Sequence, residues 1–310
     1  MSPLTNLIAR FCAPTLNYHA CFKQVPDDVA AVDSITPEVL HRQLESLKQY
    51  FSFVPVDELL QARSLSGVAA VTWDDGYKSV IDTALPVFEA LDIPFTVFVN
   101  TRPLEGGLFW RHKVTAIMSM GLAAECEAFM RGVYKEPDQS FYGNLKHPRN
   151  SSKVMEEQIE EFLSSRGIRL SGHNHLFDSR AYFRAHRLIW YGNHSHSHFV
   201  LSSLSCEEQA EEIARTKAIL DGLSDVQLSA VFALPFGQTR HANLDTFAAV
   251  SDNGYRGLLM NRGRVNRGAM PRRGDVAVLE RFSPAQSVPI ETQLVKEFLK
   301  TAARSPDRIT

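Results

Sequence analysis

Several features are scarce in this chain, and each scarcity narrows the reading. Its four cysteines, Cys12, Cys21, Cys126 and Cys206, are scattered through 310 residues with no Cys-x-x-Cys pair. That argues against a disulfide framework and against a cysteine-built structural zinc site, leaving a Cys12–Cys21 bridge open. No apolar run approaches the roughly 20 residues of a membrane span, so no integral membrane segment is expected. Met1 to Ala13 holds one arginine and no long apolar core, unlike a secretory signal, and a cytoplasmic location is expected. Neither charge sign dominates: the formal net charge is -2, which gives no reason to propose nucleic acid or an acidic membrane as partner. Internal repeats, low-complexity stretches and linkers are missing too, so a single domain over residues 1–310 is expected. The 44% hydrophobic and 22% charged content is that of an ordinary globular enzyme.

What is present is concentrated in two places. The apolar run Val68-Ala69-Ala70-Val71-Thr72-Trp73 reads as a buried strand and delivers Asp74-Asp75-Gly76 to a turn. Side chains alternate along a strand, so adjacent aspartates at its end can serve different tasks. One can bind a metal while the other takes a proton. Asp-Asp-Gly is also an ordinary turn sequence.

Far downstream lies His194-Ser195-His196-Ser197-His198. Neutral imidazole is the commonest protein ligand for zinc and its neighbours. On a strand all three histidines would share a face; on a helix or tight turn His194 and His198 would align and His196 would point away. The flanks favour the turn. Leu188 to Tyr191 reads as a strand, and a helix start follows at Ser205 with Glu208 completing a capping box. Strand-to-helix connections are where α/β sites form.

Together these residues resemble the polysaccharide deacetylases, the NodB-homology or carbohydrate esterase family 4 enzymes. Thr72-Trp73-Asp74-Asp75-Gly76 is similar to the family's Thr-Phe-Asp-Asp-Gly motif, and His194 to His198 to its His-Ser/Thr-x-x-His motif. Ala233-Leu234-Pro235-Phe236-Gly237 partly matches its Arg-x-Pro-Tyr-Gly motif. The resemblance runs from about Leu16 to Arg281 and includes the Tyr-His motif with which some members begin, here Tyr18-His19. It implies an α/β fold, a distorted (β/α) barrel, and an acylated amino-sugar substrate.

The same resemblance implies residue roles. Asp75, His194 and His198 would bind one divalent metal, zinc first, with cobalt or nickel as alternatives. Asp74 would be the general base and the backbone N–H of Phe236 the anion stabiliser. Two histidines and one aspartate leave coordination positions for water and substrate. Two departures stand out. The third-motif arginine is Ala233, and Arg281 in Leu279-Glu280-Arg281-Phe282 is the candidate replacement cation. The late Leu-x-His motif has no histidine at Leu258-Leu259-Met260-Asn261, so His19 is the candidate general acid. His196, His241 and His173 are weaker candidates, with His196 expected to point to solvent or substrate.

The rest of the chain alternates strand and helix, as parallel strands with crossover helices do. Helices are expected from Thr36-Pro37, over Ser79 to Leu91 with a kink or stop at Pro86, over Cys206 to Leu220 and over Thr292 to Ala303. Strands are expected at Phe95 to Val99 and Ala230 to Leu234, and a loop over Asn261 to Gly274. Residues 105–187 interrupt the rhythm and read as a partly helical insertion, a wall beside the site or a packing appendage. Helices are expected there over Met118 to Met130 and Lys153 to Ser164. Trp110, in this insertion, is a substrate-binding candidate. The reading is a metal-dependent N-deacetylase acting on an amino sugar in a saccharide or glycan precursor. Alternatives are a hydrolase of non-sugar amides or cyclic imides, a homologue that binds saccharide without cleaving it, and a metal-binding regulator. The oligomeric state is not legible.

Overall fold

A strand covered on both edges and both faces needs a nearly continuous apolar sequence. Val68–Trp73 meets that need, and five of its six residues are buried. The computed structural model describes residues 2–62, 64–135, 140–170 and 175–303. Seven parallel strands run in chain order through it: β1 (Thr15–Tyr18), β2 (Val68–Trp73), β3 (Phe95–Val99), β4 (Ile189–Asn193), β5 (Gln227–Ala233), β6 (Gly257–Asn261) and β7 (Val276–Arg281). Arg272–Arg273 pairs antiparallel with the outer edge of β7. The ladder does not close into a complete barrel. Its two ends meet at one bridge, where Asn17 N donates to Phe282 O at 2.9 Å and Phe282 N to Thr15 O at 3.1 Å.

The barrel interior is narrow, lined by Ala70, Phe98, Val231, Ala233, Leu259, Ala277 and Leu279. Gly192 answers the one large ring among these: a Cβ there would lie 2.4 Å from Phe98. The β4–β5 register shifts at the same place, between Tyr191 and Asn193. Two larger apolar layers wrap the outside, one under helices Pro37–Lys48, Leu85–Leu91 and Ile290–Ala303, the other under Trp110–Ser119, Ser152–Ser165, Cys206–Asp221 and Leu244–Asp252.

Local signals carried most boundaries. Thr36 Oγ1 accepts from Val39 N ahead of Pro37, and Ser205 and Glu208 form the reciprocal capping box. Pro86 splits its helix as expected. It lacks the N–H that would bond the Asp82 carbonyl, and a wider π-helical turn, Val80–Ala84, precedes the α-helix Leu85–Leu91. The expected single helix over Met118 to Met130 is instead two, Trp110–Ser119 and Ala123–Met130, broken where Gly121 takes φ +73°. The Cys12–Cys21 bridge left open by the sequence is not formed: both thiols are free and buried.

Between β3 and β4, within residues 105–187, the structure places helices Trp110–Ser119, Ala123–Met130, Phe141–Leu145 and Ser152–Ser165. His173 lies outside the described residues. No helix among the described residues is long and apolar enough to cross a membrane.

Candidate metal centre and the buried pair beside it

All the singled-out motifs end at the same rim, the C-terminal ends of the parallel strands, where loops in such folds carry chemistry. Asp74 and Asp75 follow β2, His194 to His198 follow β4, Phe236 follows β5, Arg281 ends β7 and His19 follows β1. The backbone is strained there. Of six non-glycine residues with positive φ among those described, four are Asp75 (73°), Ser195 (64°), His198 (58°) and Phe236 (62°). Such angles persist only where the surroundings over-determine them, and they cluster at functional sites.

The left-handed turn aims Asp75 at the histidines. Asp75 Oδ1 lies 3.4 Å from His198 Nε2 and 3.7 Å from His194 Nε2. These donors form the one group of three or more found among the described residues, with all ligand atoms within 4.8 Å of one another. Ligand atoms about 2.1 Å from a tetrahedral ion stand about 3.4 Å apart, so the spacing suits a metal. Asp75 Oδ1 is buried and has no hydrogen-bond partner, an expensive state that an ion would relieve. His194 Nδ1 donates to Ala233 O at 2.8 Å, which leaves the Nε2 lone pair facing Asp75. Burial pushes the pKa of His194 down and that of His198 well down, so both rings are held neutral, as ligands must be.

The loop between the histidines is held from behind. Asn193 Oδ1 accepts from Ser195 N at 2.8 Å and Ser195 Oγ from His198 N at 3.0 Å. Asn100 Nδ2 donates to the carbonyls of His194 and Ser195, and Glu212 Oε2 accepts from Ser197 N. His196 corrects the sequence reading. It is buried rather than turned to solvent, with Nδ1 3.0 Å from Thr101 Oγ1. The tight turn sends it to the opposite side from its neighbours, and burial holds its pKa down at about 4.

Asp74 faces a different partner. Arg281 grips it with two forked bonds, Nη1 to Oδ1 at 2.8 Å and Nη2 to Oδ2 at 2.6 Å, and both side chains are buried. Asn17 Nδ2 adds a bond to Oδ2 at 3.2 Å. Burial alone would raise the pKa of Asp74. The charge of the Arg281 guanidinium, the largest opposing influence, outweighs it, and the carboxyl is held at about 2. His194 Nε2 lies 3.6 Å from Asp74 Oδ2, so the pair stands beside the metal donors. His19 lies at the same rim: Asp74 N bonds to Tyr18 O at 2.9 Å. Its Nδ1 is 3.7 Å from Asp33.

Phe236 is half-buried and its ring stands edge-on to His198, centroids 4.7 Å apart, with His241 at 5.3 Å on another side. Trp110 differs from its sequence assignment as a substrate contact. It is wholly buried; its indole N–H donates to His198 O and its ring packs against Phe236, centroids 5.8 Å apart. Three residues that sequence reasoning missed also meet here. Arg111 pairs with Asp75 Oδ2, Tyr142 OH accepts from Arg111 Nε at 3.3 Å, and Asn17 bridges Asp74 and Arg281. No spacing marks Arg111 or Tyr142. Asn100, a fourth residue missed, had a usable signal, its place just past the end of a strand.

The polysaccharide deacetylase family model matches residues 62–168 and 185–258, more than half of the chain. The chain belongs to the polysaccharide deacetylase family. Solved structures of this deacetylase's fold include Streptococcus pyogenes deacetylase PplD in complex with acetate, at 15% identity and TM-score 0.57, covering 93% of this chain and 99% of that one. IcaB from Ammonifex degensii follows at 17% and 0.53, covering 91% and 96%. The polysaccharide deacetylase BC0361 from Bacillus cereus gives 14% and 0.51, covering 92% and 68%. At such identities the likeness establishes the fold. No curated protein matches the chain.

Proposed function

We propose that this polysaccharide deacetylase is a metal-dependent hydrolase that removes an acetyl, or another small acyl, group from the nitrogen of an amino sugar within a saccharide. The observation that carries the reading is the juxtaposition of the three-donor cluster with the Asp74–Arg281 pair. A bound divalent ion, held by Asp75, His194 and His198, supplies Lewis acidity toward water and the amide carbonyl. Zinc is our first choice, since two imidazoles and one carboxylate suit it; cobalt and nickel suit the same donors.

The chain's own residues then divide the work. Asp74, kept ionised by Arg281, takes the proton of the attacking water. The backbone N–H of Phe236 donates to the carbonyl oxygen as it gains charge. His19 gives a proton to the departing amine, so that a neutral amine leaves. Trp110 and Arg111 position these groups rather than touch the substrate, Trp110 through the His198 carbonyl and Arg111 through Asp75. Arg281 fills the need for a cation at the base that Ala233 leaves, which weighs for catalysis and against a saccharide-binding homologue. Two measurements test the reading: bound transition metal per chain, and acetate release from N-acetylated oligosaccharides. About one ion per chain, with acetate release lost in Asp74→Asn, is the expected result. A chain that takes up no zinc, cobalt or nickel refutes the reading.

A further inference from the structure

Asp74, Asp75, His194 and His198 are almost wholly buried, each 3% exposed or less. A substrate therefore reaches them across half-exposed neighbours, and those neighbours decide which substrates fit. Two half-exposed aromatic rings stand on the His198 side of the cluster, Phe236 and Tyr142. Phe236 is edge-on to His198, and Tyr142 is edge-on to Phe236, ring centroids 6.2 Å apart and planes at 64°. Phe236 belongs to the third motif. Tyr142 comes from the 105–187 segment, on the short helix Phe141–Leu145. The sequence left that segment open as a wall beside the site or a packing appendage.

Tyr142 is held by its oxygen. Arg111 Nε donates to the Tyr142 hydroxyl at 3.3 Å, while Nη1 of the same guanidinium pairs with Asp75 Oδ2. One rigid planar group thus ties the hydroxyl to a residue of the cluster. A guanidinium accepts no hydrogen bond, so this contact uses a lone pair of the hydroxyl and leaves its proton to donate. Among the described residues that proton meets no acceptor. The ring is fixed as well. Lys146 Nζ lies 4.5 Å from its centroid and covers one face. The helix is pinned from the side of the insertion: Ser140 Oγ accepts from Gly143 N at 3.1 Å, Asn144 Nδ2 donates to Glu127 Oε1 at 2.8 Å, and Asn150 Nδ2 donates to Asn144 O at 2.9 Å. A placed donor beside an apolar ring edge suits a sugar, which carries hydroxyl oxygens around its rim and C–H groups on its faces. A simple amide or cyclic imide has no such rim.

We propose that Tyr142 is a specificity-determining residue: its hydroxyl donates to a hydroxyl oxygen of the sugar that carries the scissile amide, and its ring meets that of Phe236 to form the corner that receives the sugar. The inference deepens the deacetylase reading and rests on it, and it makes the 105–187 segment a wall of the site. The test compares wild type with Tyr142→Phe, which loses one oxygen atom and keeps the ring, each as the full chain loaded with zinc. The probes are triacetylchitotriose, for acetate release, and chitotriose, its acetyl-free product, for calorimetric binding. The expected result is a loss of about tenfold in chitotriose affinity and in kcat/KM, carried mostly by KM, with zinc affinity unchanged. Chitotriose binding that is absent in wild type, or equal in wild type and variant, overturns the proposal. So does a fall in zinc affinity that accounts for the lost activity, because Tyr142 would then act through Arg111 and Asp75. Wild type that releases acetate beside an equally active variant sinks this contact alone. Wild type that takes up no zinc and releases no acetate sinks the deacetylase reading, and chitotriose binding by the two proteins then decides the contact by itself.

Discussion

Replacing Arg281 with alanine is the sharpest test of how the buried Asp74–Arg281 pair is held and of the catalytic role proposed for it. The wild-type carboxyl of Asp74 sits at about 2 although burial opposes its ionisation. Its shift from the ordinary 3.8 makes the ionised form worth about 2 kcal/mol to the fold. The sign follows from a depressed pKa: this stability is present above pH about 4 and is lost as pH falls toward about 2. Arg281→Ala removes the largest lowering cause and leaves a desolvated carboxylate. We expect a loss of about 3–5 kcal/mol at neutral pH, the usual result of stripping one partner from a buried pair. The carboxyl then titrates higher, so the acid limb of kcat/KM moves to higher pH. Arg281→Lys keeps the charge without the fork and should fall between alanine and wild type. The assays are denaturant unfolding at pH 7 and acetate release across pH. An alanine variant with wild-type stability and an unchanged acid limb would refute the reasoning.

Other substitutions read other parts of the site. Asp75→Ala should abolish binding of the metal, read by elemental analysis of the variant after zinc reconstitution. His19→Ala should keep the metal but lower acetate release about a hundredfold or more; a fully active variant excludes His19 as the acid. Gly237→Ala would put a Cβ 2.3 Å from Asn261 N at a φ of +65°, so it should cost about 2 kcal/mol or more and displace the neighbouring Phe236 N–H. Thermal unfolding and kcat together check it. Ser205→Ala removes one half of a capping box and should cost about 1 kcal/mol while leaving kcat unchanged.

Legibility followed sequence distance. The Val68–Trp73 strand, the Ser205 cap and the Pro86 break depend on residues a few positions apart, and each was readable. So was the pairing of His194 with His198, because four residues in a tight turn bring two side chains to one side. Other elements were hidden. Strands β1 and β6 are short, and these and β7 are defined by partners beyond any local window; Thr15 pairs with Ala70 and Arg281 with Asn261. The helix break at Gly121 was missed because apolar spacing continues across it.

The sequence by itself determined the chemistry on offer: two adjacent carboxylates at a strand end, and two imidazoles a turn apart. Those groups are local, and local geometry follows from alternation along strands and from turn-forming residues. Only the tertiary structure decided which partner each group meets. The curvature of the sheet carries Arg281 to Asp74, 207 residues away. A helix of the 105–187 segment brings Arg111 to Asp75, and packing turns His196 away from the Asp75–His194–His198 cluster and draws Trp110 into the core. These are long-range outcomes of burial and closure, set by the whole core rather than by any stretch of sequence.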